Sequence, residues 1–198
     1  MIELYGSPAS SSGRSRWMIE EVGVPYEYKR VEVRAGQCKT PEYTRMYGGA
    51  TVPVLRDGEL VLGESIAINF YLAEKYAPEL LPSDLALRGQ VYQWSLWAIT
   101  NVQPDLMAIM FDAMKASEER NPSAVDAAKL RLAPQLAFLD RALEGHDYLV
   151  GDRFTVADVN AGSVLNIARA MSLLTGLPNT STWMQRLTER PAFQRAAK

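Results

Sequence analysis

The hydrophobic periodicity of this chain changes once, across Pro78 to Ser83, and that change limits the fold more than any single residue does. Ahead of it, segments that alternate at period two are interleaved with segments of helical spacing; behind it, every segment is helical. The order predicts a mixed α/β domain over residues 1–77, a linker at about 78–83 and an all-helical bundle domain over 84–198. Ile2–Tyr5 reads as a strand, followed by the turn Gly6-Ser7-Pro8. A helix starts within Ser10-Ser11-Ser12, passes through Trp17, Met18, Ile19 and Val22, and ends at Gly23. Tyr26–Val33 alternates as a strand, and residues 34–50 read as irregular. Residues 52–55 and 59–62 flank Asp57-Gly58 as a β-hairpin. Glu64-Ser65 then opens a helix over Ile66–Tyr76, with Ser65 at the capping position.

In the second part, residues 85–117 carry apolar side chains at helical spacing, and Pro104 is expected to kink or divide that helix. A second long helix spans about 124–143, with Pro134 as another expected kink. A third starts at Thr155, where Asp158 three residues on completes a capping-box variant and Phe154 with Val159 forms a hydrophobic staple. The last helix, near 180–189, ends at Arg190-Pro191, and a short helical tail follows. Trp94, Trp97, Met107, Met110, Phe111 and Met114 cover more than one face of the 85–117 segment, so some of them line a pocket or an interface.

Residue counts exclude several chemistries. With one cysteine, Cys38, the chain forms no internal disulfide and no CxxC redox centre, which fits a reducing compartment. With one histidine as well, His146, no structural zinc site can be built from Cys and His. His146 sits in a Gly-containing loop and reads as a surface residue. The balance of 21 basic and 23 acidic residues, with no basic stripe, argues against nucleic acid. No apolar run approaches the roughly 20 residues that span a bilayer, and MIELYGSPAS lacks the features of a signal peptide. Chemistry must therefore come from hydroxyls, carboxylates, backbone amides, or a thiol that the substrate brings.

The order β-α-β-loop-β-β-α, with Val52-Pro53 opening the third strand, is the thioredoxin-like layout. Three segments extend the likeness: TVPVLRDGELVLGESIAINFYLAEKY at 51–76, LVGDRFTVADV at 149–159, and WMQRLTERPAFQRA at 183–196. Together they resemble the cytosolic glutathione S-transferases over nearly the whole chain, with motifs in both domains and in the right order. The resemblance implies a cytoplasmic homodimer that uses glutathione as cosubstrate, needs no metal, and conjugates the tripeptide to a small hydrophobic electrophile.

It also implies roles for individual residues. Pro53 is expected to be cis, with the Val52 backbone pairing the cysteinyl unit of glutathione as in a β-ladder. Ser65 and the amides after it would receive the γ-glutamyl carboxylate at a helix N-terminus, with Glu64 beside the ligand's ammonium. Thr51 falls where relatives carry the lysine or glutamine of N-P-x-G-(K/Q), here replaced by Tyr47-Gly48-Gly49-Ala50-Thr51, so weaker tripeptide affinity is expected. The activating hydroxyl is sought in the serine turn. Counting forward from Tyr5 points to Ser10, counting back from Gly23 points to Ala9, and the loop length matches beta-class enzymes at Ser11. The order of preference is Ser11, Ser10, Ser12, and any of the three can also serve as an N-cap. Tyr5, Trp97, Met107, Met110 and Phe111 are the expected electrophile-pocket residues, facing a cleft between the domains. Tyr5 also suits the place of the activating tyrosine in other members, or a packed strand position. Two alternatives stay open: a glutathione-dependent isomerase or peroxidase, and a non-catalytic binding or regulatory protein of the same fold.

Overall fold

Alternation in Ile2-Glu3-Leu4-Tyr5 places Ile2 and Leu4 on one face of a strand, and both are buried. That strand, β1 (Ile2–Gly6), is flanked by β2 (Tyr26–Arg30) and β3 (Val54–Asp57), and β3 pairs with β4 (Leu60–Gly63). The order is β2-β1-β3-β4; β1 runs parallel to β2 and antiparallel to β3, and β4 runs antiparallel to β3. Helices α1 (Ser12–Val22) and α3 (Ser65–Tyr76) pack on each other and on the sheet through Trp17, Met18, Ile19, Ile68 and Leu72. A second, smaller cluster holds Val31, Cys38, Tyr43 and Val54, with Tyr5, Tyr47 and Val52 against it. The computed structural model describes residues 1–8 and 10–198; Ala9, where the backward count from Gly23 ends, lies outside the described residues.

Three local expectations change. β2 stops at Arg30 instead of Val33: the 2.7 Å bond from Val31 N–H to Gly6 O closes the last rung at the end of β1, and the chain then turns through bonds from Ala35 and Gln37 to Glu32 O. Residues 34–50 are not wholly irregular. They contain a 3₁₀ turn, Gln37–Lys39, and helix α2 (Pro41–Met46), capped by Thr40 Oγ1 accepting from Tyr43 N–H at 3.3 Å. Ser65 does not cap its helix: the N-cap residue of α3 is Glu64, and the Ser65 hydroxyl is engaged elsewhere.

Two compact units emerge: Met1–Pro82 together with Glu189–Lys198, and Ser83–Thr188. The expected second domain, 84–198, therefore loses its tail to the first. Helix α9 (Pro191–Ala196) lies against α1, with Phe193 edge-on to Trp17 at 5.0 Å. Arg190 grips both oxygens of Glu21 at 2.7 and 2.8 Å, and Trp17 Nε1 donates to the same carboxylate. Arg195 adds a bond to Glu20.

In the other unit, α4 (Leu85–Trp97) passes through a π-helical turn, Ala98–Val102, into α5 (Gln103–Ala113). Pro104 sits in the first turn of α5, so the wide turn ahead of it absorbs the missing donor, and the division expected at this proline occurs. Helix α6 (Pro122–Ala142) instead runs unbroken through Pro134, on an exposed face shared with Leu130. Helix α7 (Val156–Ala170) buries ten of its fifteen residues and packs against α4 and against α8 (Pro178–Thr188). Its Thr155–Asp158 capping box forms as expected. The Asp158 carboxylate also accepts from Leu149 N–H and Trp183 Nε1, each at 3.0 Å. None of the described helices is long and apolar enough to cross a membrane.

Asp158 is wholly buried, and burial pushes its carboxyl up against these donors. Asp158→Ala strands several buried N–H groups at once. It should cost about 2–4 kcal/mol, read as a lowered urea midpoint by circular dichroism. Asp57 is the opposite case. Burial opposes its ionisation, but Lys75, Tyr76 and Tyr71, all donating to Oδ2, outweigh that and pull its carboxyl from 3.8 down to about 2. A depressed carboxyl stabilises the fold above its unfolded value and loses that contribution as pH falls through the folded value. Urea titrations from pH 7 to 2 should show a loss of about 2 kcal/mol in the acid window for wild type, and Asp57→Asn should remove that slope.

Candidate functional site

The three serines point in different ways because successive residues at a helix start are about 100° apart. Ser10 Oγ donates to Ser7 O at 2.7 Å and lies 2.7 Å from Ser12 Oγ. Ser12 Oγ accepts from Ser7 N–H, and Ser12 N–H donates to Ser10 Oγ. Ser10 and Ser12 thus lock the turn onto itself. Ser11 occupies the N-cap position without capping. Its hydroxyl instead reaches across the sequence to Val52 O at 3.5 Å.

Val52 precedes a proline, and the Val52–Pro53 bond is cis. Val52 is half-buried, and among the described residues its N–H has no hydrogen-bond partner. Thr51 is exposed, and its carbonyl accepts from the Tyr43 hydroxyl at 2.7 Å. The start of α3 is unusual. Glu64 is exposed, with φ 60° and ψ 108°, a left-handed backbone in a residue with a side chain, which stores on the order of 1–3 kcal/mol. Among the described residues no side chain caps the helix, which leaves its first N–H groups without a capping acceptor, as an anion site would require.

Arg14 supplies the charge. It is 6% exposed and donates from Nη1 to Ser65 Oγ at 2.9 Å. Burial brings its pKa down to about 10, which leaves it cationic at neutral pH. Ser15 Oγ, at 3.5 Å from Ser65 O, and Asn69 Nδ2, at 3.4 Å from Arg14 O, tie the two helices together around it. Sequence reasoning missed Arg14. The available signal was its phase: it lies four residues before Met18, on the apolar face of α1, where a charge is out of place unless it has a partner.

Of the residues expected near an electrophile, Tyr5 is half-buried, edge-on to Tyr43 at 6.3 Å, and bonded to Glu3. Burial first, and the Glu3 carboxylate second, raise its phenol. Trp97 belongs to the helical core, where Nε1 donates to Gln135 Oε1 at 2.8 Å and the ring meets Trp94 and Phe138. Met107 and Met110 are half-buried, and Phe111 and Met114 are exposed, so that stretch does divide between core and surface. His146 is exposed in a turn and Cys38 is buried. Among the described residues no group of three His, Cys, Asp or Glu side chains is placed to hold a metal ion.

Known proteins match this arrangement along the whole chain. Residues 1–74 match the glutathione S-transferase N-terminal domain, and residues 102–191 match the C-terminal domain of the same proteins. The chain is 31% identical to glutathione S-transferase 4 of Zea mays, over 100% of this chain and 92% of that protein. It is 32% identical to glutathione S-transferase GstB of Escherichia coli (strain K12), over 98% and 97%. A solved structure of the theta class glutathione S-transferase from Xanthomonas axonopodis pv. citri, with glutathione bound, is similar with a TM-score of 0.87 and 33% identity, covering 98% of this chain and 96% of that one. Two matching domains in order, and relatives above 30% identity over more than nine tenths of their length, bear out the expected family and its two-part fold: the chain belongs to the glutathione S-transferase family.

Proposed function

We infer that the protein binds glutathione on its first unit, stabilises the thiolate, and transfers it to a small hydrophobic electrophile. One observation carries this reading. Among the three serines, only Ser11 is free of the interlocked turn, and its hydroxyl stands beside Val52, the backbone assigned to the cysteinyl unit. A sulfur held there would lie within reach of Ser11 Oγ–H. A free thiol has a pKa of about 8.5, and one charge-assisted hydrogen bond, together with the amides at the start of α1, lowers it by about one to two units. The thiol proton leaves to solvent. The sulfur lone pair then forms the new C–S bond as the electrophile's leaving group departs or its double bond takes the charge.

The γ-glutamyl carboxylate is assigned to the uncapped start of α3 and Ser65, with Arg14 as the buried counter-charge and the exposed Glu64 carboxylate near the ammonium. Thr51 and Pro53 frame the cysteinyl segment. The half-exposed and exposed side chains Met107, Met110 and Phe111 on α5 supply an adaptable apolar surface for the electrophile. The reading includes a homodimer, and the single buried thiol, Cys38, accords with a reducing cytoplasm.

Ultraviolet thiolate absorbance during glutathione titration tests the reading. Wild type should show the band at neutral pH. Ser11→Ala should lose the thiolate fraction several-fold while binding persists, and Ser10→Ala should keep it. A band that survives Ser11→Ala and vanishes in Ser10→Ala would reassign the activating group. Arg14→Met should weaken glutathione binding about tenfold by calorimetry and leave the thiolate pKa in place, as expected for a group serving the carboxylate end.

A further inference from the structure

Tyr43 on helix α2 and Tyr47, the residue that follows its last turn, both reach the loop that leads to Val52. Tyr43 is 7% exposed, and its hydroxyl donates to Thr51 O at 2.7 Å. Burial, with Cys38, Tyr47 and Tyr5 acting in the same direction, raises its phenol, so it remains a donor across the physiological range. Tyr47 packs with Tyr43 on the Val31–Cys38–Val54 cluster. Its ring lies against two glycines. A methyl group on Gly49 would stand 2.5 Å from Tyr47 Cε1, and one on Gly63 would collide with Tyr47 Oη and Cζ.

Neither Gly49 nor Gly63 has the left-handed backbone that calls for glycine. The reason for glycine at both places is therefore the approach of the ring. Gly63 ends β4 and is bonded to Glu64; Gly49 lies two residues before Thr51. Between Gly49 and Thr51 the chain turns through Ala50 at φ 50°, a conformation that costs an alanine energy and needs support from both sides. One aromatic ring thus touches the loop bearing Thr51–Pro53 and the junction bearing Glu64–Ser65, while Tyr43 pins the loop from behind.

We propose that Tyr43 and Tyr47 are positioning residues, a strut that sets the distance between the Val52 backbone and the start of α3. The proposal rests on the assignment of glutathione's cysteinyl and γ-glutamyl units to those two places. Neither tyrosine touches the tripeptide. They fix the span that its two ends must bridge, and a misplacement of about 1 Å in such a span is costly to binding.

Steady-state kinetics with glutathione and an activated aryl chloride, from which the thiolate displaces chloride, provide the test, with calorimetric glutathione binding alongside. Tyr47→Ala should raise KM for glutathione at least tenfold with kcat within twofold of wild type. Tyr47→Phe, which keeps the ring, should restore both, and Tyr43→Phe should raise KM about threefold to fivefold. Gly63→Ala should raise KM strongly in the wild-type background and add little in the Tyr47→Ala background, because the ring it strikes is gone. Should Tyr47→Ala fail to fold, Tyr47→Leu, which refills the cluster without reaching Gly63, carries the same KM expectation. A KM unchanged in Tyr47→Ala or Tyr47→Leu, or effects of Tyr47 and Gly63 substitutions that simply multiply, overturns the strut alone. Absence of glutathione uptake by wild type overturns the functional reading and the strut with it.

Discussion

A buried guanidinium governs how the site is assembled. Arg14 is almost removed from water, and a charge in that position survives only where neighbours hydrogen-bond to it. Its bond to Ser65, with those of Ser15 and Asn69 around it, fastens the first turn of α1 to the first turn of α3. The serine turn sits at one end of that fastening and the strained Glu64 at the other. The serine turn and the start of α3 are therefore mechanically one assembly, although their residues lie some fifty positions apart. An apolar residue in place of Arg14 would leave the helices packed but take the fixed positive charge from the wall of the site.

The features that could be read from the sequence are those whose physics is local. Thr155 and Asp158 close a capping box within four residues, and Asp57-Gly58 turns a hairpin without outside help. The Pro78–Ser83 interruption likewise marks where the first unit gives way to the second. Other features depend on a partner that spacing does not name. Whether Ser65 caps its own helix or accepts from a distant arginine is decided by tertiary contact, and local propensity favoured the wrong answer. The choice among Ser10, Ser11 and Ser12 is one of direction around a turn, which a count of residues cannot supply. Helix α2 was not read from the sequence: Thr40-Pro41-Glu42 is a start signal, but six residues are too few to show a period.

Loop 47–51 shows how a departure from a family pattern can be absorbed. The chain lacks the asparagine, proline and glycine usual ahead of Val52-Pro53, and an alanine takes the left-handed position at residue 50. What it has instead are an aromatic ring wedged between two glycines and a phenol bonded to a backbone carbonyl. Backbone preference has been exchanged for side-chain packing as the means of holding the same loop. Such a loop is held by tyrosines on and just after α2.

The return of α9 to α1 links the architecture to the order of synthesis. Glu21 and Trp17 are made early, yet Arg190 and Phe193, which cover them, leave the ribosome only after the whole helical unit has been translated. Until then the nascent first unit exposes a tryptophan and a carboxylate that it is built to bury.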